Sequence, residues 1–149
     1  MVTVEICEDL EDLRPLARDW MADMGEDFGM EIDLDTIKAD LDLWSSKGIG
    51  ITFIAREDGK VVAFLPVMIT SMFLGKQPMA FERYWYWKPG KVFAGRKLLD
   101  YAKAYARQQG CTHFVMSASA MGTKLHDKMC QVLEKYGMQK FETNYITEL

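Results

Sequence analysis

Glu82 precedes the run WYWKPGKVFAGRK at residues 85–97, where three aromatic residues pass into a segment with three lysines, an arginine and two glycines. A carboxylate on an aromatic strand is a candidate proton acceptor, because burial among Phe81, Tyr84 and Trp85 would raise its pKa. Turned the other way, it is a solvated strand carboxylate. The run after it has the order strand, loop, helix, in which the N–H groups of a helix start and the helix dipole attract an anion. The helix start lies at Val92 to Lys97, and Lys88, Lys91, Arg96 and Lys97 could add charge around it. The same order also suits a plain strand-to-helix connection carrying solvated lysines.

The elements that must position these groups follow from periodicity. Thr3 to Cys7 alternates as a strand, after which Leu13, Leu16, Ala17, Trp20 and Met24 recur at helical spacing. A second helix carries Ile37, Leu41 and Trp44, with Asp33 or Asp35 as its cap and Gly48 at its end. From Ile51 the texture is β: ITFIA, a tight Asp58-Gly59 turn, VVAFLPVMIT, a turn at Gly75 to Pro78 and the aromatic strand MAFERYWYW. After the loop come a helix with Leu98, Leu99, Ala102, Tyr105 and Ala106, a strand HFVMSAS, and a helix with Leu125, Met129, Val132, Leu133 and Tyr136. FETNYITEL then alternates as a closing strand. One sheet flanked by helices, a single domain over residues 1–149, is the economical packing for this order.

Composition narrows the classes. A chain of 149 residues, 49% hydrophobic, is long enough to bury one core. A net charge of −4 with an acidic pI gives no basic field for a nucleic-acid backbone. No membrane-length apolar run and no leader are visible, and the three cysteines lack metal-ligand spacing, so the expectation is a cytoplasmic protein without a metal. The two histidines complete neither a metal cluster nor a nucleophilic triad.

From Met79 onward the chain resembles the GNAT superfamily of acyl-CoA N-acyltransferases. In that family a strand with a β-bulge enters a loop of pattern Arg/Gln-x-x-Gly-x-Gly/Ala and then a helix; here Gly90, Lys91, Val92, Phe93, Ala94 and Gly95 precede Arg96-Lys97-Leu98-Leu99. CQVLEKYGMQKFE is similar to the family's closing signature, and FETNYITEL looks like the last strand of phage-encoded members. Two positions depart from the pattern, with Gly90 where the family has Arg or Gln and Phe93 where it has the first glycine.

The resemblance implies an α/β (α+β) fold, a central, mixed, mostly antiparallel twisted sheet flanked by about four helices. It also implies transfer of an acetyl group from acetyl-CoA to a primary amine of a small molecule or protein by direct attack. Residues Trp85, Tyr86, Trp87, Lys88 and Gly90 to Lys97 would then hold the cofactor, with Gly95 at the pyrophosphate and a main-chain N–H near Trp85 to Trp87 facing the oxyanion. Glu82 would be the base. The family's acidic tyrosine aligns with Leu133, so Tyr136, three residues on, is the candidate acid, with Cys130, Tyr145 or water as alternatives and a core role as the favoured other reading of Tyr136. His126 falls near a cofactor-contacting position, or is a surface histidine. In the acidic interval Gly25 to Asp35, Asp27 and Phe28 are the acceptor-side candidates, suited to a cationic amine; a solvated loop is the other reading. Strand residues Tyr84 to Trp87 could line the acceptor cleft or form a homodimer surface. A member of the fold reused for binding or inhibition without catalysis is the competing class.

Overall fold

The computed structural model describes residues 1–24, 31–71, 75–118 and 126–149. It forms two compact units, one of Met1–Trp20 with Asp33–Ser117 and one of Met21–Ile32 with Ala118–Leu149. In chain order the described elements are β1 (Val2–Ile6), a 3-10 turn (Leu10–Leu13), α1 (Arg14–Met24), α2 (Leu34–Ser46), β2 (Gly50–Glu57), β3 (Lys60–Ser71), β4 (Pro78–Glu82), β5 (Tyr86–Trp87), α3 (Val92–Gln108), β6 (Phe114–Val115) and α4 (His126–Lys135).

Local chemistry sets the boundaries. Asp33 caps α2 by accepting from the Thr36 N–H at 3.0 Å. Asp58 and Gly59, at φ 51° and 75°, make the mirror-image turn that matches the twist of β2 and β3. The sheet of the first unit runs β1-β2-β3-β4-β6, with β5 also on β3; all pairs are antiparallel except β4 with β6. β2 and β3 are buried along their centres because both faces are covered. On one face Phe53 meets Tyr101 and Tyr105 of α3 edge-on, beneath the buried stripe Leu98, Leu99, Ala102 and Ala106. On the other, Ile54 and Phe64 pack with Leu13 and Leu16, bordered by Trp20, Tyr84 and Tyr86.

Three strands differ from the periodicity reading. HFVMSAS contracts to Phe114–Val115, since only Ala80 and Phe81 of β4 stand opposite it as partners. MAFERYWYW is broken into β4 and β5. FETNYITEL, in the second unit, is no strand: residues 141–149 carry no ladder and all are exposed. Alternation marks a face for burial, yet a strand also needs a neighbour for its N–H and C=O groups, and this segment has none among the described residues.

Candidate active site

The break in the aromatic strand is a bulge with an identifiable cause. Glu82 pairs with Val67 and Tyr86 with Phe64, so Arg83, Tyr84 and Trp85 stand opposite only Leu65 and Pro66. Pro66 accepts from the Arg83 N–H at 3.0 Å but has no N–H to return, and the ladder cannot close in regular register. β5 resumes against Ala63 and Phe64, one residue out of phase. A strand bulge, as the resemblance implies, is therefore present, and the proline within VVAFLPVMIT is the signal that sequence reasoning left unused.

Glu82 ends β4 just before the bulge and is 8% exposed, which excludes the solvated-carboxylate reading. By register it shares a sheet face with Val67, Leu65 and Phe53, the face that α3 covers. Burial raises its pKa to about 7, against the lowering influence of a hydrogen bond from the Ser117 N–H and of the Arg83 charge. That bond, 2.9 Å to Oε2, lies where the β4–β6 ladder stops, so the carboxylate takes over from the main chain in tying the two segments together. Nothing in the sequence marked Ser117.

The loop is a turn before it is a cradle. The Lys91 N–H donates to the Lys88 carbonyl at 2.9 Å, with Pro89 and Gly90 between them and Gly90 at φ +80°, the arrangement of a type II turn. Gly90 thus stands in place of the family's Arg or Gln because the backbone here needs the left-handed region. α3 begins without a side-chain cap, and its first bond runs from the Gly95 N–H to the Lys91 carbonyl at 3.2 Å. The N–H groups of Val92, Phe93 and Ala94 precede it and have no acceptor within the helix. The side chains of Val92 and Phe93 are exposed, so neither covers those donors from the core side.

Gly95 carries a packing constraint of its own. It is buried, and a Cβ placed on it would come within 2.7 Å of the Trp87 indole. Trp85 donates from Nε1 to the Gly95 carbonyl at 3.1 Å, and the two indoles lie 4.7 Å apart. Close packing of helix on strand by itself requires a glycine here. The cations are also more engaged than expected: Lys91 pairs with Glu57, Lys97 donates to the Val2 carbonyl at 2.6 Å, and Lys88 lies 3.7 Å from Asp19.

His126 and Tyr136 belong to the second unit. His126 is exposed in the first turn of α4, its Nε2 3.7 Å from Cys130 Sγ, and Tyr136 follows the last residue of α4, its N–H on the carbonyls of Val132 and Leu133. Leu133, at the family's phenol position, is buried. Asp27 and Phe28 lie outside the described residues. Among the described residues no group of three His, Cys, Asp or Glu side chains could hold a metal, and no helix is long and apolar enough to cross a membrane.

No protein-family model matches the chain, and no curated protein matches it. Solved structures do. An aminoglycoside acetyltransferase from an uncultured soil metagenomic sample, in complex with sisomicin, superposes with a TM-score of 0.75 at 16% identity, over 99% of this chain and 96% of that one. AAC(6')-Iy, in complex with the bisubstrate analogue CoA-S-monomethyl-acetylneamine, gives 0.74 at 15%, over 100% and 98%. The ribosomal-protein-alanine N-acetyltransferase of Brucella melitensis biovar Abortus 2308 gives 0.72 at 16%, over 99% of each chain. At these identities the likeness speaks for architecture, and a mixed, mostly antiparallel sheet with helices packed on both of its faces, as in the first unit, matches the fold of the GNAT acetyltransferases.

Proposed function

We propose that the chain is an acetyl-CoA-dependent N-acetyltransferase acting on a primary amine of a small molecule or a protein. The observation that carries this reading is Glu82: a buried carboxylate with a pKa near 7, at a strand bulge, on the same strand-loop-helix unit as the donors of Val92, Phe93 and Ala94. A base poised near neutrality is half-ionised at working pH, which suits removal of an ammonium proton. Acetyl-CoA supplies an activated carbonyl carbon; the α3 start, with the main chain of Trp85 to Trp87, is where its phosphates and pantetheine arm would lie. The ammonium proton passes to Glu82, the freed amine lone pair forms the new C–N bond as the C–S bond breaks, and the second N–H proton goes to the departing thiolate. The departing thiolate needs little acid help near its own pKa, in keeping with Leu133 at the phenol position. Acceptors named with the solved relatives, aminoglycosides and a ribosomal protein alanine, are the first amines to try.

The test is thiol release from acetyl-CoA with a panel of primary amines. Activity should rise through about pH 7, and Glu82→Gln should retain acetyl-CoA binding while losing turnover. Acetyl-CoA at a hundredfold excess over its Kd should stabilise the chain by about 2.7 kcal/mol; no stabilisation at millimolar acetyl-CoA overturns the proposal. The engagement of Lys91 and Lys97 favours one rival, a binding module of this fold without catalysis. It would show neither stabilisation by acetyl-CoA nor thiol release.

A further inference from the structure

The three cysteines are free thiols, and their surroundings differ. Cys7 donates from Sγ to the Asp9 carbonyl at 3.1 Å, and burial, with the charge of Asp12 beside it, pushes its pKa up to about 11. Burial raises Cys111 as well. Both are held as thiols, the unreactive form. Cys130 is placed otherwise. It stands four residues after His126 on α4, so the two side chains share one helix face, and its Sγ lies 3.7 Å from His126 Nε2. In the tautomer with the proton on Nδ1, Nε2 is an acceptor and the thiol is the donor that meets it. A thiol with a base in hydrogen-bond reach is the pair that nucleophilic chemistry at cysteine needs. Helix spacing alone sets this pair, and it lies on the flank of the apolar stripe of Met129, Val132 and Leu133 rather than at its centre.

We propose that Cys130 is a self-acylation site: with His126 as its base, it takes an acetyl group from acetyl-CoA and holds it on the chain as a thioester. The choice of donor rests on the acetyl-CoA reading above, whereas the thiol–imidazole pair stands without it. Nε2 of His126 takes the S–H proton, and Sγ forms a bond to the acetyl carbonyl carbon. The C–S bond to CoA then breaks, and the departing CoA thiolate recovers the proton from the imidazolium. One thioester is made as another is broken, so the exchange needs no further reactant. Cys130 is thus a second acceptor for the same donor, beside the amine that Glu82 serves. The acetyl group stays activated, and its release by hydroxylamine distinguishes it from an amide on a lysine.

The test is peptide mapping by mass spectrometry after the full chain is incubated with acetyl-CoA and, in a parallel arm, with a small acetyl thioester that lacks the nucleotide. In both arms Cys130 should carry an acetyl group that neutral hydroxylamine removes, while Cys7 and Cys111 of the same molecules react at least about tenfold more slowly. His126→Gln should slow the reaction of Cys130 about a hundredfold, with the circular dichroism of the helices unchanged. The comparison of the three cysteines within the parent chain needs no variant: Cys7 or Cys111 acetylated as fast as Cys130 overturns the proposal. An unchanged rate in His126→Gln overturns it equally. Stabilisation by acetyl-CoA with Cys130 unmodified in both arms overturns it while the acetyl-CoA reading stands. Acetylation of Cys130 by the small thioester, with neither stabilisation nor acetylation by acetyl-CoA, overturns the donor named here together with that reading.

Discussion

Two segments of this chain are patterned for β-structure and end in opposite states. The aromatic run 79–87 becomes β4 and β5, with Met79 to Glu82 and Tyr86 to Trp87 paired to β3. The C-terminal run 141–149 remains exposed and unpaired. Their apolar alternation is similar, so the difference does not lie in propensity. It lies in what each can reach: the first folds back on a twelve-residue strand already buried on both faces, whereas the second follows α4 with no such partner among the described residues. The paired segment, in turn, can hold an irregular element, the bulge, and a desolvated one, Glu82, because the surrounding ladder and helix over-determine them.

The largest expected break falls where the paired segment meets α3. Gly95→Ala puts a methyl group 2.7 Å from a Trp87 indole that Trp85 already backs. Overpacking at such a contact costs roughly 1–3 kcal/mol, read by urea denaturation. An alanine variant as stable as the parent but unable to bind acetyl-CoA would return Gly95 to a phosphate role.

Glu82→Gln tests the desolvated element by pH. Burial raises the folded-state pKa to about 7, from 4.5 for the unconstrained group. The folded chain therefore holds its proton where the unfolded chain has lost it, and the parent's stability falls as pH rises from about 4.5 to 7. The amide variant has no such loss. It should exceed the parent by roughly 2–3 kcal/mol at pH 8, with the gap closing by pH 4. A constant gap across this range would show that Glu82 is solvated or ionised throughout. A smaller effect attends Gly90→Ala, which must hold φ +80° and should cost about 1 kcal/mol, with no dependence on pH.

Much of the architecture was legible because it rests on local rules. The capping of α2 by Asp33, the Asp58-Gly59 turn, the buried stripe of α3 and the antiparallel strand order follow from periodicity and turn chemistry. The site was legible in kind but not in mechanism. Glu82 was identifiable from its aromatic neighbours, but its tie to Ser117 links residues 35 positions apart and leaves no local trace. Gly95 and Gly90 stood out as glycines, yet only a three-dimensional neighbour separates a glycine that admits an indole from one that admits a phosphate. The bulge sat between these cases: Pro66 announced an interruption of the ladder without saying which neighbour would carry the extra residue.

The sharpest test of the comparison holds residue type constant. Tyr86 and Tyr145 each occupy an alternating aromatic pattern. Tyr86 is half-buried in β5, its ring 5.8 Å from Phe64, whereas Tyr145 is 93% exposed. Tyr86→Ala should cost about 2–3 kcal/mol, somewhat below a fully buried aromatic. Tyr145→Ala, measured at a dilution where copies are separate, should change stability by no more than about 0.5 kcal/mol. If the two losses prove equal under those conditions, Tyr145 has an intramolecular partner, the C-terminal run folds as part of its own chain, and the contrast between the two segments disappears.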